Sequence, residues 1–494
     1  MSFAELWDSL RPLGRDAVTG GYRRYSYARA DLACREWFRD TALSRSLRPE
    51  ADRNGNLWAW WEGPGGGPPG PVGAADPAAP GPGAAMVTGA AGPAAPGPGA
   101  AMVTGAAGPA APGPGAAMVT GAAGPAAPGP GAAMVTGAAD PAAPGPGAAG
   151  PASLPPGAAI VTGSHLDSVP DGGAYDGPLG VVSGFAAIDL LRARGFVPAR
   201  PLAVAAFCEE EGGRFGVACL GSRLLTGVMD PQAARELRDG RGVSLAEAMA
   251  GAGLDPARLG PDNARLRRIA AYVELHIEQG SALAGLGAAV GIAEGIWPHG
   301  RWRLDFTGRA DHAGTTRLAD RRDPMLPYAA TVLAAREAAA GQAALATFGK
   351  VTPEPGAANA ICSRVRAWLD ARAPGEPALH RLVGQVEAAA REAAAVHGVE
   401  VGVHRESFTP PVEFDAGLRD RLARVLAGRE IAAPSLPTGA GHDAGILAAR
   451  LPAAMLFVRN PSGVSHSPAE HADMADCEAG VVALAAVLEE LAGR

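Results

Sequence analysis

Three consecutive carboxylates, Glu209-Glu210-Glu211, follow directly on an apolar run from Leu202 to Phe207. Like charges at a strand end repel one another unless something positive neutralises them. Two further apolar runs end in groups that bind cations. Ala158 to Val161 leads to His165 and Asp167, and Asp176 lies in a Gly-rich turn eleven residues after that histidine; Ala271 to Leu275 leads to His276, Glu278 and Gln279. A fourth run, Ala454 to Val458, precedes a loop carrying His466. His165, Asp176, Glu211, His276 and His466 form a mixed imidazole and carboxylate set that suits zinc, manganese or cobalt. No cysteine is among them, which argues against a purely structural zinc site. Two divalent metal ions sharing one carboxylate would use these ligands economically and leave positions open for water. Glu210 points away from Glu211 if the extended backbone continues, which makes it the candidate general base. Asp167, two residues after His165 on the same strand face, is the candidate orienter of that histidine.

Such groups need a scaffold that brings distant segments together. The apolar runs fit buried strands of a parallel sheet. Leu179 to Arg194, with Val181, Val182, Phe185, Ile188 and Leu191 at helical spacing and Gly195 beyond, fits the crossover helix. Open sheets of this kind place ligands at the carboxyl ends of their strands. Ala28 to Thr41, with Leu32, Trp37 and Phe38 among charges, predicts an amphipathic helix, and Arg53-Asn54-Gly55-Asn56 predicts a hairpin turn into a strand beginning at Leu57. A helix from Asp476 to Leu491 closes the chain, with Val481, Leu484, Val487, Leu488 and Leu491 inward.

Between these parts the pattern changes. Strands at 301–307, 344–351, 364–371 and 399–405 and helices at 323–340 and 378–396 follow the ferredoxin-like order β-α-β-β-α-β, with one sheet face open. The expected fold is therefore α/β: a mostly parallel-sheet catalytic domain (1–62, 157–294, 412–494) with an inserted ferredoxin-like lid at 295–411. Residues 63–156 carry most of the excess of Gly (69) and Pro (45). They repeat a sixteen-residue unit, with Met86, Met102, Met118 and Met134 in register. Each unit has too few apolar groups to offset its ordering entropy, so a disordered insertion is expected. Its Gly-Ala-Ala-Met-Val-Thr-Gly nearly copies Gly157-Ala-Ala-Ile-Val-Thr-Gly163, as though that strand had been duplicated in tandem.

A net charge of −7 argues against nucleic acid or anionic membrane as partners. Five scattered cysteines without CxxC spacing favour reduced thiols. With no secretory leader pattern and no long apolar span, a cytoplasmic, soluble protein is expected.

The motifs GSHLDSVPDGGAYDG, EEEGGRF, ELHIEQG, ADHAGTT with RRD, NAICSRVRAWLDAR, TGAGHDA and PSGVSHSPAE resemble those of the amidase/hydantoinase/carbamoylase group of dinuclear metallohydrolases. The resemblance spans the chain except for the repeat. It departs at Gly213 and Thr438, where the group commonly has Ser. It implies that His165 and His276 hold one metal, Glu211 and His466 the other, and that Asp176 bridges both. Glu210 would pass a proton from the attacking water to the leaving nitrogen. It also implies a homodimer formed through the lid, with His312 of ADHAGTT reaching the other subunit's site to polarise the scissile carbonyl. Asn359 and Arg372 would bind the substrate's carboxylate, and Gln279 with the backbone of Gly439 and Gly441 would complete the pocket. His442 and Asp443 are read as neighbours that brace the ligands. The implied reaction is cleavage of a non-peptide C–N bond in a small ureido carboxylate, most nearly allantoate to ureidoglycine, ammonia and carbon dioxide. N-carbamoyl-L-amino-acid or N-formylglutamate hydrolysis is the alternative. A catalytically silent dimeric binding protein would be expected to have lost ligands, and none of the five is missing.

Overall fold

The structure, a computed structural model, describes residues 2–62, 154–155 and 157–493. Apart from Leu154 and Pro155, the repeat and the expectation attached to it lie outside the described residues. In chain order the strands are β1 (Arg48–Ala51), β2 (Leu57–Trp61), β3 (Ala159–His165), β4 (Leu202–Phe207), β5 (Ile269–Ile277) and β6 (Val290–Ile296). Then come β7 (His299–Thr307), β8 (Asp311–His312), β9 (Leu345–Glu354), β10 (Ala360–Ile361), β11 (Arg364–Arg372) and β12 (Glu400–Thr409). The last three are β13 (Val412–Glu413), β14 (Ser435–Thr438) and β15 (Ala453–Val458).

The main sheet runs β1-β2-β4-β3-β5-β15-β6-β13, with β14 paired to β6. Its centre, β4-β3-β5-β15, is parallel throughout, and antiparallel strands flank it on both sides. Every residue of β3, β4, β5 and β15 is buried. This is why they read as continuous apolar runs rather than alternating ones: both faces are covered. On one face Ile160 and Val273 pack against Phe185 and Ile188 of helix Pro178–Ala193 and Leu484 and Leu488 of helix Met474–Ala492. On the other, Val161 and Tyr272 join Trp58, Trp60 and Phe207. The crossover and C-terminal helices match the spacing expected of them.

Helix Arg29–Leu43 forms, but Leu32 faces solvent and the inward face carries Asp31, Cys34, Phe38, Thr41 and Ala42. The reason is polar. Asp31 accepts hydrogen bonds from Tyr27 N and Arg35 Nε, both at 2.7 Å, so a satisfied carboxylate takes the buried position that hydrophobicity alone assigns to Leu32.

After Ile296 the chain leaves the main sheet and returns at Val412, which pairs with Ile296. The intervening residues build a four-stranded antiparallel sheet, β12-β7-β11-β9. Helices Met325–Ala340 and Glu376–Val396 pack on it, and Trp302, Leu304, Phe306, Val365 and Leu369 point into their shared core. On the open face of this sheet Asp305 gathers Arg303, Arg364, Arg366 and His404 within 2.9–3.6 Å. Among the described residues no helix is long and apolar enough to cross a membrane.

Candidate metal centre

Chain order around β3 creates the crevice. The connection from β3 leads to β4 on one side, and the chain then crosses back to β5 on the other, so β3 and β5 straddle a switch point. His165 is the last residue of β3 and His276 the last but one of β5. The Glu209–Glu211 run follows β4, and the His466 loop follows β15. Parallel pairing delivers all four segments to one edge of the sheet.

Asp176 stands between the histidines. Its Oδ1 lies 3.5 Å from His165 Nε2 and 3.2 Å from His276 Nε2, and its Oδ2 lies 3.4 Å from His466 Nε2. Glu211 Oε2 is 3.5 Å from His466 Nε2, and Glu210 Oε2 is 3.6 Å from His165 Nε2. Two groups of donors result, His165–Asp176–His276 and Asp176–Glu211–His466, each with its ligand atoms within 4.8 Å of one another. Gln279 Nε2 donates to Asp176 Oδ2 at 2.7 Å, and Ser465 Oγ donates to the same oxygen at 3.4 Å. All five predicted ligands therefore meet, with Asp176 in common.

The histidine tautomers follow from the backbone. His165 Nδ1 donates to the Asp167 carbonyl at 3.1 Å and His276 Nδ1 to the Ile277 carbonyl at 2.8 Å, which leaves a lone pair on each Nε2. Both Nε2 atoms are buried without a hydrogen-bond partner. Donors about 2.1 Å from a common cation stand roughly 3–3.5 Å apart, close to the separations seen here. The donor set thus fits divalent cations. Gly177 contributes by omission: at φ +85°, a Cβ there would fall 2.3 Å from the His165 ring.

Two sequence readings need correction. Asp167 orients His165 mainly through its backbone carbonyl. Its carboxylate, 3.6 Å from Nδ1, instead accepts from Glu210 N at 3.1 Å and Glu211 N at 3.0 Å and so braces the turn after β4. Glu210 and Glu211 do not alternate as in a strand, because extended backbone ends at Phe207 and Glu209 adopts φ +54°. Both side chains reach the cluster, Glu210 toward His165 and Glu211 toward His466.

Electrostatics show how much negative charge is packed here. Burial opposes charge on His165 and His276, yet Glu210 and Asp176 respectively lead the carboxylates that outweigh it and raise both imidazoles. Burial likewise resists ionisation of Asp176, but the His165 and His276 imidazoles beside it hold it well below the usual carboxylate range. Burial, then the charge of Asp176, pushes Glu211 up to about 9. Burial also drives Glu210 well upward, against the pull of His165. Divalent cations would relieve this crowding.

Asp443 and His442 lie beside the ligands. Asp443 Oδ1 accepts from Ser222 Oγ at 2.5 Å, and the His442 ring packs edge-on against His276, centroids 4.5 Å apart. Glu274, His276 and His442 form a third close trio, but the Glu274 oxygens already accept from Ser164 Oγ and Ala444 N. Sequence reasoning passed over three residues. Glu274 was detectable as a carboxylate inside an apolar strand, a position that demands partners. Cys219, whose thiol donates to Glu210 Oε1 at 3.2 Å, and Glu470, which accepts from Tyr175 N and Asp176 N, carried no local signal.

The remaining candidates lie outside this cluster. His312 is exposed on β8; its Nδ1 accepts from Gly314 N at 3.0 Å, and no hydrogen bond or ion pair joins it to the ligands. Asn359 is exposed, with its carbonyl accepting from Ala313 N. Arg372 spans from β11 to the main-sheet loop, pairing with Asp370 and donating to the carbonyl of Gly439. Gly441 is exposed in the same loop.

Residues 161–490 match the model of peptidase family M20/M25/M40. The chain belongs to that family. It is 38% identical over 330 residues to an N-carbamoyl-L-amino acid amidohydrolase of Geobacillus stearothermophilus, which covers 66% of this chain and 80% of that relative. With an allantoate amidohydrolase of Bacillus subtilis (strain 168) it shares 35% over 329 residues, 66% of this chain and 79% of the other. The crystal structure of a hydantoinase/carbamoylase family amidase from Burkholderia ambifaria superposes with a TM-score of 0.72 at 26% identity, covering 100% of this chain and 98% of that one. The chain is accordingly a hydrolase of the amidohydrolase type, acting on carbon–nitrogen bonds other than peptide bonds.

Proposed function

We propose that the enzyme hydrolyses a small ureido carboxylate, allantoate, to ureidoglycine, ammonia and carbon dioxide. The observation that carries a two-cation hydrolytic site is Asp176, shared between two donor groups, with the unpartnered Nε2 atoms of His165 and His276 aimed at it. His165 and His276 would hold one cation and Glu211 and His466 the other, with Asp176 common to both; zinc, manganese and cobalt all suit these donors. When bound, such cations polarise a carbonyl and make water acidic enough to lose a proton near neutral pH.

The chain's own groups do the rest. Glu210 takes the proton from the attacking water on Oε2 and returns it to the leaving nitrogen, while the Cys219 thiol holds Oε1 in place. Burial raises that thiol well above its ordinary range, so it stays a donor. The Arg372 fork, with Asn359, binds the substrate's carboxylate, and Gln279 with the backbone of Gly439 and Gly441 shapes the pocket.

Residues 295–411 act in this reading as a ferredoxin-like lid through which two copies pair. Supporting it, β9 is an edge strand exposing Leu345 and Val351, and the adjacent helix exposes Leu326 and Leu333. The exposure of His312 suits a group that serves the neighbouring subunit, where it would polarise the scissile carbonyl. The five cysteines are free and buried, which suits a reducing, cytoplasmic setting.

The relative at 38% identity favours a second reading, an N-carbamoyl-L-amino acid as substrate. A panel of allantoate, N-carbamoyl amino acids and N-formylglutamate, assayed for ammonia or formate release with added manganese, decides between them. Allantoate should give the highest kcat/KM; a carbamoyl substrate turned over at least tenfold faster would overturn the first assignment.

A further inference from the structure

Asp176 has to present both carboxylate oxygens at once, Oδ1 to the strand histidines and Oδ2 to His466, from a turn that follows two glycines. Strand pairing does not hold it. Its backbone N–H and that of Tyr175 both donate to one oxygen, Glu470 Oε1, at 3.0 and 2.8 Å. Glu470 is buried and lies four residues beyond His466 on the same loop. A single acceptor therefore ties the segment that carries Asp176 to the segment that carries His466.

Two further features point the same way. A Cβ on Gly173 would sit 2.3 Å from the Glu470 carboxylate, so glycine at that position makes room for the contact. The Tyr175 ring is stacked on Trp7 at 4.6 Å and meets His471, the neighbour of Glu470, edge-on at 6.0 Å.

We infer that Glu470 is a positioning residue for the cation held by Asp176, Glu211 and His466, an inference that rests on the two-cation reading above. Glu470 touches no reacting group. It sets the distance between two donors that otherwise sit on independent loops. The strand-borne donors His165 and His276 are positioned by sheet pairing and do not need it.

The test is a manganese titration of the full-length, chelator-stripped protein by calorimetry, with bound metal counted after equilibrium dialysis. Wild type should bind two cations. Glu470→Ala should keep one and bind the second about 10- to 100-fold more weakly. Glu470→Gln, whose amide oxygen can accept the same two N–H groups, should bind both cations as wild type does, because the outer partner is preserved. Gly173→Ala, which displaces Glu470 without removing it, should reproduce the Ala result and carries the test if Glu470→Ala does not fold. Two cations of wild-type affinity in Glu470→Ala would overturn the clamp alone. Glutamine as weak as alanine, or equal loss of both cations, would also overturn it. A wild type that binds one cation would overturn the two-cation reading and the clamp with it.

Discussion

The two sides of Asp176 are built from different materials. On one side His165 and His276 end buried strands; each ring is fixed by a backbone carbonyl, and neither is exposed by more than 1%. On the other side Glu211 follows a left-handed turn and His466, itself at φ +54°, has 51% of its side chain exposed. Sheet pairing places the first pair at no added cost. The second pair depends on side-chain contacts between loops, with Asp167 bracing Glu210 and Glu211, Asn460 folding the 460–464 turn, and Glu470 joining His466 to Asp176. Donors borne on strands are thus placed once the sheet forms, whereas donors on loops need polar clamps of their own.

Five experiments sharpen or break this contrast. His276→Ala removes a strand-borne donor, and kcat/KM should fall by about 10⁴-fold or more, as when one member of a catalytic unit is lost. A loss below tenfold would mean the strand-borne side is not where catalysis is assembled. Glu210→Gln should cost about 10²- to 10⁴-fold in kcat while metal content stays at the wild-type level. Unchanged turnover would remove Glu210 as the base. His466→Ala should retain one bound manganese per chain and, in the chelator-stripped protein, leave thermal stability within about 0.5 kcal/mol of wild type, as expected of an exposed loop residue. Elemental analysis beside a melting curve checks both, and loss of both cations would break the distinction between the two sides.

A smaller effect is expected far from the centre. In the second sheet, burial alone would raise the Asp305 carboxyl, but hydrogen bonding from Arg303 and the Arg364 guanidinium outweigh it and hold it below the usual range. A depressed folded value contributes stability that is complete above the unfolded value near 3.9 and lost as pH falls through the folded one. Asp305→Asn should therefore cost about 2 kcal/mol at pH 7. Urea melts should show that difference shrinking as pH drops below about 3.9. A constant difference across pH would show that the pairing is not the source.

The smallest effect should come from the opposite edge of the main sheet. Trp61 and Ile160, which flank the repeat, both stand level with Leu202 on either side of β4. That places them roughly 10 Å apart, two strand spacings, at the end away from the ligands. Replacing residues 63–156 with a short flexible linker should leave kcat/KM and melting temperature unchanged; a large loss of either would show that the segment acts on the centre.

Apolar runs followed closely by His or Glu marked His165, Glu211 and His276, because in a parallel sheet strand ends converge by construction. Asp176 and His466, on a turn and a loop beyond the strand ends, joined them as the remaining imidazole and carboxylate donors, and the family resemblance divided the five between two cations. Periodicity likewise located helices Pro178–Ala193 and Met474–Ala492 to within two residues. It failed at Leu32, where a hydrogen-bonded Asp31 took the inward position, and at Glu210, where the strand ended before the alternation could apply. Glu470 and Cys219 were illegible for another reason. The partners of Glu470 lie almost 300 residues away, that of Cys219 across a turn nine residues back, and nothing in their immediate neighbours marks either contact.

The order of residues alone thus determined which groups could bind cations and that a mostly parallel sheet would carry them, since local apolar pattern governs strand formation and strand ends govern ligand placement. Only the folded chain decided which oxygen of Asp176 faces which histidine, which backbone carbonyl fixes each ring, and which carboxylate ties the two loops. Asp176 meets His276, 100 residues on, at 3.2 Å and His466, 290 residues on, at 3.4 Å, and such distances exist only after the sheet has closed around them.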